Sequence, residues 1–452
     1  MPTPPAWHPV PSTAHQGIRS SRWMWQRLFR WPSQNFSREN GARRMRASVR
    51  VLWAAFLAAH LLVAWWGWVL PSQPMGDVVL VYQPWSAAAL NGGAVVGITT
   101  TWVYPQLALV PMLLAQLFAV PFTSVMGGDG AYLIGWAILV TVCDLFGFAA
   151  LVGRGRTRRR RTAGWMWTAA LVLLGPIAMY RIDAITVPLA IVGGLWLAQR
   201  PRVGAALLTI GAWIKIWPAA IVLAAIADGR RAWSTAVTAA SVTAVIMLVL
   251  VLLGADRALF GFLTEQTGRG LQIEAVAATP FLWLAMVGIA SIDYSFDILT
   301  YQITAPGAEV VAALLTPLMG VVVLGILVVA VLRARHGVLW QRMLPALAMA
   351  VVVALIVTNK VGSPQFQTWL FAPAILWIVF DRPRAQLPSA LVLLLCALTF
   401  TIYPLTYDGL LQAEAFPVLL ITARNAVLVI LLFHAVRSVV HAPVSPHLTR
   451  TR

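Results

Sequence analysis

Four runs of apolar residues fix what this chain can become. "VLWAAFLAAHLLVAWWGWVL" (51–70), "STAVTAASVTAVIMLVLVLLG" (234–254), "VVAALLTPLMGVVVLGILVVAVL" (310–332) and "FPVLLITARNAVLVILLFHAV" (416–436) each approach the roughly 20 residues that a helix needs to cross the hydrocarbon core. Lipid offers backbone amides no partner, so a spanning segment is either a helix or a strand of a closed barrel. Barrel strands alternate apolar and polar residues, and these runs do not. Composition agrees: 60% of the 452 residues are hydrophobic, only 11% are charged and the mean hydropathy is +0.79, against an apolar share of roughly 45–50% in soluble domains. The expected fold class is all-α, a polytopic integral membrane helical bundle.

The formal net charge of +18 is distributed as a topology signal, not as a nucleic-acid surface. Nine arginines from Arg19 to Arg50 face the single acid Glu39 ahead of the first span. By the positive-inside rule this N-terminus is cytoplasmic. "RGRTRRRR" (154–161), "QRPR" (199–202), "DGRR" (228–231), "RARH" (333–336), "DRPR" (381–384) and the C-terminal tail mark further cytoplasmic segments. Residues 1–46 read as a basic, disordered tail, 47–437 as the membrane domain and 438–452 as a second basic tail. An even number of crossings must separate any two basic loops. Spans are therefore expected near 50–70, 130–152, 164–180, 184–199, 233–254, 308–332, 343–358, 366–380, 389–403 and 416–437, with a fold-back in 203–227 at "KIWP". That totals about twelve crossings, within a range of about 10 to 13. Segments 104–122 and 278–292 remain as re-entrant or surface helices on the extracytoplasmic side.

This topology collects the unusual polar stretches on one side: "GDVVLVYQPW" (76–85), "YRID" (180–183), "IKIWP" (214–218), "TEQTGRGLQIEA" (264–275) and "TNKVGSPQFQ" (358–367). Ionisable groups gathered at one face of a bundle mark a candidate site. Lysine usage sharpens the reading. Of 33 basic residues only Lys215 and Lys360 are lysine, and both fall in these outward stretches. Compact ammonium groups there, with Arg181 and Arg269, suit an anion; lysines that snorkel from helix ends are the alternative. Asp77 can act as a general base or cap the helix that follows. Asp183 can pair with Arg181 or cap its own helix, and Gln365 can contact sugar hydroxyls or satisfy loop backbone. Glu265, Gln272 and Glu274 read equally as loop residues or as acceptor contacts.

Other chemistries lack their signatures. No zinc spacing occurs among the seven histidines, no Walker A is present, and Cys143 and Cys396 fall in apolar spans. No cofactor or metal is implied. Asp144 sits inside a span, where a carboxylate is expected to face the bundle and either pair or be protonated, and His60 reads as a satisfied core group.

In order along 48–437, the "GD…Y" after the first span, "VYPQLALVP", "RIDAITVPLAIVGGLWLAQRPRVGAALLTIGAWIKIWP", "RGLQIEA" and "NKVGSPQFQTWLFAP" resemble glycosyltransferase family 87. These are GT-C type, polyprenol-phosphate-mannose-dependent mannosyltransferases. The resemblance implies inverting transfer of mannose from a polyprenyl-phosphate donor to a glycolipid or lipoglycan acceptor outside the cytoplasmic membrane. It implies Asp77 as base, Lys215, Lys360, Arg181 and Arg269 at the donor phosphate, and Tyr82, Tyr104, Asp183, Gln272 and Gln365 as substrate contacts. The rival readings are a transporter or lipid-linked sugar flippase, or a GT-C enzyme that uses another lipid-phosphate sugar. A transporter is expected to show internal repeats and midplane charges, and the sequence displays its polar groups at the rim.

Overall fold

The structure, a computed structural model, describes residues 33–153, 155, 157–264, 268–295 and 300–444, with side chains from Ser48 onward except Leu263 and Thr264. The N-terminal tail to residue 32, Arg154, Arg156, Glu265 and the C-terminal residues from 445 lie outside the described residues. The described residues divide into two units at Arg50 and Val51, and of the first only the backbone from Ser33 and the side chains of Ser48 to Arg50 are described.

The chain is a helical bundle. In order it runs α1 (Ser33–Val69), a π-helical turn (Val78–Tyr82), α2 (Gln83–Leu90), α3 (Leu109–Ala119), α4 (Thr123–Val152), α5 (Arg158–Leu174), α6 (Asp183–Trp196), α7 (Pro201–Ile214), α8 (Ala219–Ala227) and α9 (Ala232–Leu252). Then come α10 (Thr279–Met286), β1 (Ser291–Ser295), β2 (Thr300–Thr304), α11 (Ala308–Arg335), α12 (Trp340–Val357), α13 (Phe371–Asp381), α14 (Gln386–Phe400) and α15 (Ala415–Val440). Helix α1 starts at Ser33, so part of the tail read as disordered is helical, while its span-forming part, Ser48–Val69, begins where expected.

Among the described residues, seven helical segments are long and apolar enough to cross a membrane, against the expected twelve or so. The difference lies in short helices interrupted by proline or glycine. Helices α6, α7, α8 and α13 have 14, 14, 9 and 11 residues. At about 1.5 Å per residue none reaches the roughly 30 Å of a hydrocarbon core alone. The predicted break at "KIWP" is present: α7 stops at Ile214, Lys215 is extended (φ −150°, ψ 130°) and Pro218 precedes α8. Segment 104–122 holds the 11-residue α3, which folds back on α4 around Gly127 (φ 69°). A side chain at Gly135 of α4 would strike the backbone of Ala115 and Ala119, so the two helices touch backbone to backbone.

Segment 278–292 departs from the expected re-entrant helix. Only α10 is helical there, and an antiparallel hairpin follows, with Ser291 opposite Thr304 and Ser295 opposite Thr300. "SIDYS" and "TYQIT" carry β-branched and aromatic residues that prefer a strand. Ile303 anchors the hairpin by burial against Leu271 and Leu282.

Aromatic packing joins α1, α4 and α5: Phe56 stacks on Phe148 at 3.8 Å and meets Trp167 edge-on at 5.3 Å. Beside them the His60 Nε2 lies 3.1 Å from the Asp144 carboxylate, the pairing expected of an acid inside a span. The most enclosed span is α12, with 72% of its residues buried, whereas α9 and α11 are 11% and 17% buried.

The basic loops converge at one end of the bundle. Arg159 donates to the carbonyls of Val379 and Phe380, Phe380 meets Trp340, and Arg230 lies over Trp340. Arg342 and Arg384 both reach Asp381, and Arg333 donates to Ala442.

Candidate active site

Asp77 opens the π-helical turn that follows α1, and its side chain makes no capping hydrogen bond. The capping role is not realised. Its carboxylate instead stands 3.2 Å from the Nε of Arg181, with 36% of its side chain exposed against 6% for the arginine. The Arg181 Nη1 donates to the carbonyls of Pro74 (2.7 Å) and Tyr180 (2.9 Å). Burial works against the guanidinium, but Asp77, Tyr403 and Tyr82 outweigh it and raise its pKa, so it stays charged. The amide of Ile182 donates to the Tyr82 hydroxyl at 3.1 Å, and the Tyr403 hydroxyl donates to the carbonyl of Ser72 at 2.9 Å. Three segments far apart in sequence thus hold one half-exposed carboxylate on a buried base plate.

Asp183 is fully buried and pairs with neither Arg181 nor its own helix start. Its Oδ1 accepts from Trp369 Nε1 at 2.6 Å, and its Oδ2, which has no hydrogen-bond partner, lies 3.7 Å from Lys215 Nζ. Lys215 sits 4.3 Å above the centre of the Tyr104 ring. The extended backbone at the α7–α8 break is what frees this side chain to reach both partners. Tyr104 and Tyr82 meet at 6.4 Å, and Trp85 and Trp102 continue the wall. Burial raises the Tyr104 phenol above its usual pKa; Lys215 opposes this, and Asp77 and Asp183 add to it. Tyr104 thus links the two acid–base pairs: it lies under Lys215 of one and meets Tyr82, which receives the Ile182 amide beside Arg181 of the other.

The remaining residues form an adjoining group. The amide of Gln272 donates to the carbonyl of Lys360 at 3.0 Å. A side chain at Gly362 would overlap the backbone of Glu274 and Ala275, so glycine alone lets "NKVGSPQ" lie flat on this segment. Lys360 is buried, and burial together with Arg269 pushes its ammonium below the ordinary lysine range. Gln272 is buried with its Nε2 unpartnered, and Gln365 accepts from Ser363. The seven-residue 3₁₀ segment Pro364–Leu370 carries Gln365 near one end and Trp369 near the other, which ties this group to Asp183. Substituting Gly362→Val is expected to lift the loop from residues 272–275 and lower the thermal midpoint; unfolding in detergent reads it directly.

Glu274 is not a solvated loop residue. Arg424 of α15 donates to its carboxylate at 2.6 Å and to its carbonyl at 2.7 Å, both side chains being nearly inaccessible. Nothing in the apolar run 416–436 pairs Arg424 with a residue 150 positions earlier, although an arginine inside a span signals a buried partner. Trp369 and Tyr403 were likewise not singled out by the sequence. Tyr403 packs against Tyr407 at 4.9 Å, and Tyr407 against Tyr301 at 6.3 Å, so a file of phenols runs from Arg181 to the hairpin.

No family model matches the chain, and no curated protein matches it.

Proposed function

We propose that the protein is an extracytoplasmic membrane glycosyltransferase that moves a sugar, mannose by the family resemblance, from a polyprenyl-phosphate donor to a glycolipid or lipoglycan hydroxyl. The observation that carries this reading is Asp77: a half-exposed carboxylate anchored by the buried Arg181 beside an aromatic wall and a set of cations. A carboxylate so placed can take a proton from an acceptor hydroxyl. As that oxygen bonds to the anomeric carbon, the bond to the phosphate oxygen breaks, and the lipid phosphate leaves with the electron pair. The anomeric centre inverts, so no second acid is needed.

The pairing pattern redistributes the cations. Arg181 is engaged with Asp77 and two carbonyls, which makes it a positioning residue for the base. Lys215 is held by Asp183 and Tyr104, and Lys360 is held on the 272–275 segment with Arg269 acting on it. By the family resemblance, the charge developing on the phosphate is met by Lys215, Lys360 and Arg269. The convergence of the basic loops at one end supports a cytoplasmic assignment for that end by the positive-inside rule. The site residues then face outward, where a lipid donor enters sideways.

The test is transfer of radiolabel from polyprenyl-phosphate mannose to a glycolipid by purified protein in membranes. Transfer is the expected result. Its absence with every lipid-phosphate sugar across a panel of acceptors overturns the reading and leaves the transporter or flippase alternative. Lys360→Ala is expected to raise the donor KM about tenfold or more with a smaller loss in kcat. Lys215→Ala, which also leaves Asp183 buried without its cation, is expected to lower both transfer and thermal stability.

A further inference from the structure

The basic end of the bundle contains a cavity that the proposed transfer reaction does not use. It has a volume of about 440 Å³ and is lined by Arg342, Arg384, Arg437, His434 and Trp377 among others. That size lies within the roughly 300–1,000 Å³ of small-molecule sites. Along α12, 18 residues or about 27 Å of helix separate the Arg342 end from the Lys360 end, so the cavity and the candidate active site are distinct.

Its charge is unbalanced. Asp381 takes Arg384 at 3.0 Å and Arg342 at 3.8 Å, and among the described residues Arg437 pairs with no carboxylate. Three guanidinium groups therefore answer to one acid. Helices α12 and α14 both begin at the cavity without a side-chain cap, and Gln386 of the first turn of α14 lines it, so backbone N–H groups add to the positive field. Ser438 and His441 add polar groups, and the rest of the lining is apolar or aromatic. The His434 ring stacks on Trp377 at 6.1 Å, and Leu387 at the rim is 51% exposed. Exposed guanidinium groups beside an exposed leucine at the mouth, over the buried Trp377 and between the ends of apolar helices, suit an amphiphile whose polar part is a phosphate. Guanidinium forks match phosphate oxygens better than any other side chain does.

We propose that this cavity binds the phosphate of an anionic phospholipid headgroup, with Arg384 and Arg437 as its principal donors and Leu387 at the acyl-chain side of the mouth. This goes beyond the proposed transfer reaction and does not depend on it.

The test uses the full-length protein in detergent, with native mass spectrometry to count retained phosphatidylglycerol and a parallel titration with inorganic phosphate. A paired Arg384→Gln, Arg437→Gln variant is compared with wild type. Both arginines are exposed, and a matching melting temperature shows that the variant is folded. The expected result is retention of phosphatidylglycerol over phosphatidylcholine by wild type, reduced at least tenfold in the variant and largely restored in an Arg384→Lys, Arg437→Lys pair. Equal retention by wild type and the Gln pair overturns the proposal. Variant-sensitive binding of inorganic phosphate without any preference for phosphatidylglycerol also overturns it, by assigning the cavity to a soluble phosphate.

Discussion

Asp77→Asn is expected to lower the proposed transfer by about two to four orders of magnitude, the usual contribution of a positioned general base. Asparagine keeps the shape of the side chain and one oxygen for Arg181, and removes only the capacity to take a proton. Because the Asp77 side chain is 36% exposed and Arg181 keeps two backbone acceptors, the fold survives the loss of charge. Membrane yield and melting temperature are therefore expected to stay close to wild type while label transfer collapses. Near-normal turnover would make Asp77 a structural partner of Arg181 and send the search for a base to Asp183, the other carboxylate acting on Tyr104.

The second large effect is on stability. Arg424→Met strands the Glu274 carboxylate in a site where both side chains are almost inaccessible, and breaking such a buried pair costs about 3–5 kcal/mol. Thermal unfolding in detergent is expected to show a clear drop in midpoint. Replacing both partners, Glu274→Leu with Arg424→Met, is expected to recover most of it, since no charge is then left uncompensated. An unchanged midpoint for Arg424→Met alone would show that the pair contributes nothing to holding α15 against the 272–275 segment. The same single variant is also expected to weaken donor use, because residues 272–275 are what Lys360 and Gly362 rest on.

The scarcity of charge made much of the candidate site legible. In a chain with 15 acids and two lysines, Asp77, Asp183, Lys215 and Lys360 stand out against their surroundings. The structure brings the first three together with Arg181, Tyr82 and Tyr104. Which acid meets which base was not legible. Arg181 and Asp183 are near neighbours in sequence yet point to different partners, and that choice is made by helix packing across about a hundred residues. Arg424 was hidden because an apolar run is read by its average. The expected count of about twelve crossings and the seven segments long enough to cross alone differ for a related reason: an apolar stretch looks continuous in sequence even where a helix as short as α6 or the 3₁₀ segment Pro364–Leu370 occupies it. The hairpin was missed because "GIASIDYS" is apolar enough to pass for helix, while its β-branched and aromatic residues decide otherwise.

The contrast between α12 and its lipid-exposed neighbours bears on how freely each can vary. Bilayer chains mould themselves around any outline, so the leucines and valines of α9 and α11 meet a fluid that forgives a change of size. The span of α12 meets other helices on nearly every side, and its Ala346, Ala348, Ala350 and Ala354 are fully buried. There an added methylene has nowhere to go. Side-chain bulk, not greasiness, is thus the quantity under constraint: the outer spans can drift through any apolar alphabet, while each position of the inner one is held by its neighbours to the size it already carries.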